Sequence, residues 1–270
     1  MPLDVAAEVL ANLPLSADFN RLSLAAPAIA AATAPGQFVM VKANTSHDPL
    51  LRRPFSVFEV LRSDDGTATG LTILNKRIGA TTQLLYDAKP GQRIACLGPL
   101  GLPWPVIDAG TSREACLVAG GVGLAAFAIL AEALVARRVK TTLFYGARTG
   151  AELFSLDFFR ERGVSLVLTT EDGSAGEHGR VTAPLERHLA ERRSAAAVYA
   201  CGPEAMMAAV ARMAMRFACV CHVSLERVMG CGLGGCYSCV VPVRGEAGGF
   251  HHLRSCIAGP VMSGDRILWD

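Results

Sequence analysis

The chain has 270 residues, with 26 Lys and Arg against 24 Asp and Glu, a net charge of +2. That near-balance of interspersed charge gives no basis for nucleic-acid binding. Although 51% of the residues are apolar, no run reaches the roughly 18 uninterrupted apolar residues that span a bilayer.

The length predicts two domains, or three small ones, with enough chain to bury cores. No basic flank leads into an apolar run at the N-terminus, so no signal peptide is expected. Over the first hundred residues, segments 5–10, 20–24, 37–41, 55–61 and 70–76 are short and β-rich. Turn signals such as Pro35-Gly36 and Asp64-Asp65-Gly66 separate them. The Ala-rich stretch 25–34 lies between two of these strands. Residues 79–88 can form one short helix before Pro90-Gly91 and a strand at 92–97. Many short strands at this spacing predict an antiparallel barrel. The punctuated run from Gly98 through Pro99, Gly101 and Pro103 to Pro105 then marks a boundary.

Beyond it the period changes. Strands are expected at 115–119, 141–145, 164–170 and 196–200, and helices at 124–139, 152–162, Thr182–Arg192 and 204–217. Strand alternating with helix predicts a parallel sheet covered on both faces. Ligands of such sheets sit outside the C-terminal strand ends. The turns that matter are therefore Gly120-Gly121-Val122-Gly123, Gly146-Ala147-Arg148, Glu171-Asp172-Gly173-Ser174 and Cys201-Gly202-Pro203-Glu204. Glycines where a strand opens into a helix let the backbone approach a pyrophosphate. Pro203 fits the first helical turn. In the barrel, Arg53 precedes an aromatic and a hydroxyl, a fork for phosphate beside an edge for a flat ring.

The last segment, from about residue 224, is too short for a large core and is expected to be held together by whatever its cysteines bind. Cys231, Cys236 and Cys239 follow C-x4-C-x2-C, and Cys256 comes sixteen intervening residues later. This is the plant-type ligand spacing for a [2Fe–2S] cluster. Gly232, Gly234 and Gly235 within the loop permit the tight turns that aim N–H groups at sulfur. Zinc sites more often show paired C-x2-C units, and a disulfide or inert thiols give no reason for a glycine-rich loop. His251 and His252 invite a Rieske reading, but four cysteines already fill the ligand set, so both are expected on an exposed loop. Cys96, Cys116, Cys219 and Cys221 are expected to be buried thiols, and Met206, Met207, Met213 and Met215 core filler. Nine cysteines, four of them in one loop system, suit a reducing compartment and hence the cytoplasm.

Nearly the whole chain resembles known proteins. Arg53-Pro54-Phe55-Ser56 resembles the R-x-[YF]-[ST] flavin motif of ferredoxin–NADP reductase-like proteins. The Gly120, Gly146 and Cys201 turns look like that family's nicotinamide-dinucleotide turns. Ser224-Leu225-Glu226, then Met229 to Cys236, Cys239, and Cys256 followed by Gly259-Pro260-Val261, resembles the electron-transfer subunits of class 1B dihydroorotate dehydrogenases. In most oxygenase reductases the gap before the last cysteine is longer.

The resemblance implies an antiparallel β-barrel flavin domain over 1–105, a parallel-sheet α/β NAD domain over 106–222, and a small [2Fe–2S] domain over 223–270. It implies FAD contacts at Arg53, Pro54, Phe55, Ser56, Leu74, Asn75, Lys76, Thr81 and Thr82. NAD contacts follow at Gly120, Gly121, Gly123, Cys201 and Gly202, with Cys231, Cys236, Cys239 and Cys256 as cluster ligands; Cys201 is then either a neighbour of the nicotinamide or a structural thiol, and Glu226, just before the cluster loop, either approaches the nicotinamide or is a solvated strand-end carboxylate. It further implies a partner, the FMN-containing dihydroorotate dehydrogenase catalytic subunit, in a heterotetramer of two of each. A nicotinamide exchanges two electrons as hydride and a cluster passes one, so a flavin that does both belongs between them. Departures are visible. Family members commonly read G-K-G-T where this chain has Gly79-Ala80-Thr81-Thr82, and S-L-E-E-R-M where it has Ser224 to Met229. Ala125-Ala126 replaces a frequent proline. The alternatives are a reductase serving a ferredoxin, an oxygenase or a hydrogenase-type complex, and a zinc-stabilised interaction module with vestigial nucleotide turns.

Overall fold

The computed structural model describes residues 1–44, 48–111, 114–192, 195–245 and 248–269; every site residue named above lies within them. The first unit holds β1 (Leu3–Pro14), β2 (Phe19–Ala25), α1 (Pro27–Ala32), β3 (Phe38–Lys42), β4 (Arg53–Arg62), β5 (Ala68–Lys76), α2 (Ala80–Tyr86) and β6 (Arg93–Leu100). Its six strands close into a barrel in the order β1-β2-β5-β4-β3-β6, with every pairing antiparallel. Closure leaves no free edge. The period-two pattern shows on β6, where Ile94 and Cys96 are buried between half-exposed neighbours. The Ala-rich stretch becomes α1. Pro27 presets its first turn, Ile29 and Ala30 fill the barrel end, and the Thr33 hydroxyl donates to the Ile29 carbonyl at 2.8 Å.

The second unit holds β7 (Glu114–Gly120), α3 (Ala128–Ala136), β8 (Thr141–Ala147), α4 (Leu156–Glu161), β9 (Ser165–Thr170), β10 (Glu177–His178), α5 (Thr182–Arg192), β11 (Ala196–Cys201), α6 (Glu204–Arg216) and β12 (Val220–Ser224). Its strands lie in the order β10-β9-β8-β7-β11-β12 and run parallel. Both faces are covered. Cys116 and Val118 of β7 enter the core under α5 and α6, while Ala115, Leu117 and Ala119 enter the one beneath α3 and α4. The second of these cores also takes in Phe19, Phe58 and Leu74 from the barrel. Trp104 fastens the two units there. Its ring stacks on Phe127 at 5.6 Å and meets Tyr199 edge-on, and its Nε1–H donates to the Ala126 carbonyl at 2.8 Å. Gly36 allows this, because a Cβ there would lie 2.5 Å from the indole.

Two expected helices are shorter than their patterns. Residues 121–126 form a 3-10 segment before α3 begins, since Gly121 takes a left-handed φ of 54°. The 152–162 helix starts only at Leu156. Ahead of it Ser155 turns left-handed, φ 56°, which lets Phe154 pack against Phe19 at 5.1 Å and Tyr145 at 6.2 Å.

The C-terminal segment contains β13 (Val240–Arg244), β14 (Phe250–Arg254), α7 (Ser255–Ala258) and β15 (Val261–Ser263). It is anchored by more than its cysteines. β15 pairs antiparallel with β12 as the outer strand of the main sheet, and Val241, Val243, Met262 and Ile267 join that sheet's core. His251 and His252 are exposed as expected, but on β14 rather than a loop, opposite Val243 and Pro242 of β13. Met207 is buried and Met206 and Met213 partly so, whereas Met215 is 48% exposed and fills no core. It lies past the buried stripe of α6. Cys96, Cys116, Cys219 and Cys221 are all buried.

Candidate functional site

Between the barrel and the sheet opens a cleft of about 790 Å³, within the range of small-molecule and cofactor sites. The start of β4 forms one wall. Arg53, Pro54, Phe55 and Ser56 line it, and their strand is registered against Val41 to Phe38 of β3. Leu74 and Lys76 from β5, and Thr81 and Thr82 from α2, complete the barrel side. Thr82 Oγ1 accepts hydrogen bonds from the Ile78 and Gly79 amides, both at 2.9 Å, which fixes the entry to α2. The Thr81 hydroxyl is buried and has no hydrogen-bond partner among the described residues, as expected if a bound group completes it. Asn75 does not line the cleft. It is buried beneath, its Nδ2 donating to the Thr82 carbonyl at 2.9 Å and to Asn20 Oδ1 at 2.7 Å. Its place is to hold α2 against the barrel.

A second cleft, about 550 Å³, runs along the C-terminal ends of the sheet strands. The strand order reverses between β7 and β11, and at such a switch point the two turns splay to leave a crevice. Gly120, Gly121 and Gly202 line it, with Gly146, Arg148, Glu171 and Arg180 further out. Gly123 does not. A Cβ on Gly123 would lie 2.2 Å from the Cys201 carbonyl oxygen, so this glycine lets the turns after β7 and β11 close on one another.

The two clefts meet at Lys76, Ile78, Val122 and Glu226, which line both. Cys201 faces the first cleft, is fully buried and bonds to Ser224; burial, with the Glu226 charge beside it, pushes its thiol well up. Glu226 touches solvent through the clefts, but surrounding protein atoms raise its carboxyl above the ordinary range, against the pull of Lys76. Arg227 donates two hydrogen bonds to the Glu204 carboxylate, at 3.0 and 2.8 Å, tying the residue after Glu226 to the start of α6.

Beside the first cleft, the cysteine loop lies against the barrel. Cys239 and Cys256 pack with Phe38, Met40, Leu100 and Met229, and Phe38 and Met229 also line that cleft. All four thiols are free; Cys236 neighbours Cys231, and Cys256 neighbours Cys239 and feels the charge of Cys231. The Ser238 hydroxyl, 3.1 Å from Cys236 Sγ, and the Ser238 amide draw that thiol down to about 6. Burial, with Cys239 alongside, pushes Cys256 up to about 12. Amides point inward: Leu233 N–H donates to Cys231 Sγ at 3.4 Å, and Gly234 N–H donates to Cys256.

Four free thiols in one glycine-rich loop system fit the ligand set of a [2Fe–2S] cluster. A single zinc would draw all four sulfurs into one tetrahedron with edges of about 3.8 Å. Among the described residues, the one trio of Cys, His, Asp or Glu ligand atoms lying mutually within 4.8 Å is Glu114, Cys116 and His188. That trio sits at the opposite end of β7. There the Glu114 carboxylate already bonds to His188 and pairs with Lys140 at 3.2 Å.

Met229 and Pro260, named in the C-terminal motif, line the first cleft, and reasoning from sequence overlooked Phe38, Pro49 and Leu51 beside them. None of these three carries a motif, and burial in the fold is what selects them. It also overlooked Arg254, whose only signal is a cation two residues before the last cysteine.

A barrel cleft that opens into a dinucleotide crevice, with free thiols behind a thin apolar wall, defines an NAD-linked flavin and iron–sulfur oxidoreductase. Residues 226–268 match the family model for the iron–sulfur cluster binding domain of dihydroorotate dehydrogenase B, and residues 117–212 match that for the oxidoreductase NAD-binding domain. The dihydroorotate dehydrogenase B (NAD(+)) electron transfer subunit of Desulforamulus reducens is 34% identical over 268 residues, covering 98% of each chain. That of Bacillus caldolyticus is 38% identical over 235 residues, covering 87% of this chain and 86% of its own. Among solved structures, the NADH-dependent reduced ferredoxin–NADP oxidoreductase has a TM-score of 0.84 at 29% identity, over 98% of this chain and 90% of the other. A ferredoxin–NADP+ reductase from Neisseria gonorrhoeae with bound FAD and NADP shares the fold, with a TM-score of 0.66 at 16% identity over 79% and 91%. The chain belongs to the family of dihydroorotate dehydrogenase B electron transfer subunits.

Proposed function

We propose that this chain carries electrons from a partner subunit that oxidises dihydroorotate, through [2Fe–2S] and FAD, to NAD+. The observation that carries the reading is the Cys239 and Cys256 couple, packed with the Phe38 and Met229 side chains that border the first cleft. When bound, the flavin trades two electrons as hydride with the nicotinamide and single electrons with the cluster, and the protein supplies position and environment.

Arg53 to Ser56, Leu74, Lys76, Thr81 and Thr82 hold FAD, with Asn75 bracing α2 from behind. Gly120, Gly121 and Gly202 admit the dinucleotide, and Gly123 with Cys201 sets their spacing. Glu226 stands where the clefts join, and Cys201 faces the first cleft beside it. Cys231, Cys236, Cys239 and Cys256 would hold the [2Fe–2S] cluster. The functional units run 1–105, 106–222 and 223–270, in a cytoplasmic heterotetramer of two such chains and two FMN-containing catalytic subunits. Support for docking beside the cluster comes from Leu233, Tyr237 and Ile257, which are 53%, 61% and 47% exposed around the loop, as short-range electron exit requires.

The test is reconstitution. The chain alone should oxidise NADH with an artificial acceptor but leave dihydroorotate untouched, and co-expression with the catalytic subunit should confer NAD-dependent dihydroorotate oxidation. Dihydroorotate oxidation by the chain alone would overturn the reading. A second reading, a reductase serving another acceptor, draws on the likeness to the ferredoxin–NADP oxidoreductase. Recovery of a ferredoxin or an oxygenase component in place of the catalytic subunit would favour it.

A further inference from the structure

Arg254 stands at the end of β14, two residues before Cys256. Its Nη1 donates to the Gly234 carbonyl at 2.7 Å, and its guanidinium lies 4.8 Å from the centre of the Tyr237 ring. Both contacts fall inside the loop that supplies the first three cysteines. Gly234 takes a left-handed φ of 82°, and a Cβ there would strike Ile257 at 2.9 Å and Arg254 at 3.3 Å. The same residue turns its N–H onto the sulfur of Cys256. One side chain thus grips the carbonyl of the glycine whose amide serves the last ligand, and braces itself on a ring of the same loop.

From this geometry we infer that Arg254 is a positioning residue that sets the reduction potential of the cluster. The inference rests on the proposed function in taking the four cysteines as [2Fe–2S] ligands. Two physical effects have the same sign. A guanidinium beside the loop favours the more negative, reduced cluster. The grip on the Gly234 carbonyl keeps that carbonyl's negative end engaged and fixes the turn in which Leu233 N–H meets Cys231 Sγ, and net charge and hydrogen bonds to sulfur are among the main determinants of such potentials. Arginine suits the task because its planar fork can donate and stack at once. A lysine would keep the charge but not that geometry.

The experiment is a redox titration of the cluster in the holoprotein, followed by electron paramagnetic resonance and visible absorption, for wild type, Arg254→Met and Arg254→Lys. The expected result is a fall in the midpoint of Arg254→Met equivalent to a roughly tenfold loss in the one-electron reduction constant, 59 mV for a one-electron couple. Arg254→Lys should fall in between, and the flavin absorption should be unchanged in both. Fully loaded clusters titrating at the wild-type midpoint in both variants would overturn the inference. If Arg254→Met fails to load, Arg254→Lys decides alone: a lowered midpoint supports the inference and an unchanged one overturns it. A wild type with no cluster signal would instead refute the proposed function, so the two failures are distinguishable.

Discussion

Replacing Gly123 by alanine tests how the two nucleotide turns are held. The added Cβ would lie 2.2 Å from the Cys201 carbonyl oxygen, 2.5 Å from its carbon and 2.8 Å from the Gly202 nitrogen. All three are backbone atoms with no rotamer to yield. Carbon contacts become favourable near 3.5 Å, so the turns must part by roughly 1 Å. Overpacking of this kind costs about 1–3 kcal/mol, which for a chain of this size lowers the unfolding temperature by about 3–10 °C. Because Gly120, Gly121 and Gly202 line the crevice at the parted turns, the KM for NADH should rise several-fold in a ferricyanide reductase assay while flavin content stays unchanged. Gly110→Ala is the control. Among the described residues a Cβ there meets nothing within 4 Å, and its effect should stay within about 0.5 kcal/mol. An unshifted melting curve and unchanged NADH KM for Gly123→Ala would refute the close-packed turn.

Other outcomes follow from the same packing. Trp104→Ala removes a buried ring that touches both units and its bond to Ala126, and should cost about 3–5 kcal/mol in denaturant unfolding. Burial lowers the pKa of His222 below its ordinary 6.5, against the opposing charge of Asp265. Between that lowered value and 6.5 the unfolded chain binds a proton that the folded one refuses, so stability is lost as pH falls through this window. Melting temperatures of His222→Asn between pH 5 and 7 should show a flatter profile, and an unchanged slope would count against the assignment.

How much of this was legible in the chain depends on where the information lies. Period-two alternation over β1 to β6 and strand–helix alternation after residue 114 are local signals, so barrel and sheet could be read directly; the α5 helix begins and ends where its pattern does. The 3-10 entry at Gly121 was hidden because the left-handed φ of that glycine leaves no mark on a helical residue pattern. The return of β15 to the sheet edge was hidden as well, since three residues at Val261–Ser263 carry no period. At the site, cysteine spacing and the Arg53 to Ser56 run were readable as motifs. The placing of Asn75 and Gly123 behind the clefts, rather than on them, depends on tertiary packing that no motif records.

The central claim is that four cysteines carry a [2Fe–2S] cluster beside a flavin cleft. Iron, acid-labile sulfide and flavin should therefore be quantified on the chain purified without oxygen. The account predicts two irons, two sulfides and one FAD per chain, with Cys256→Ser losing iron and sulfide but keeping the flavin. A colourless protein holding one zinc per chain and no flavin would contradict it.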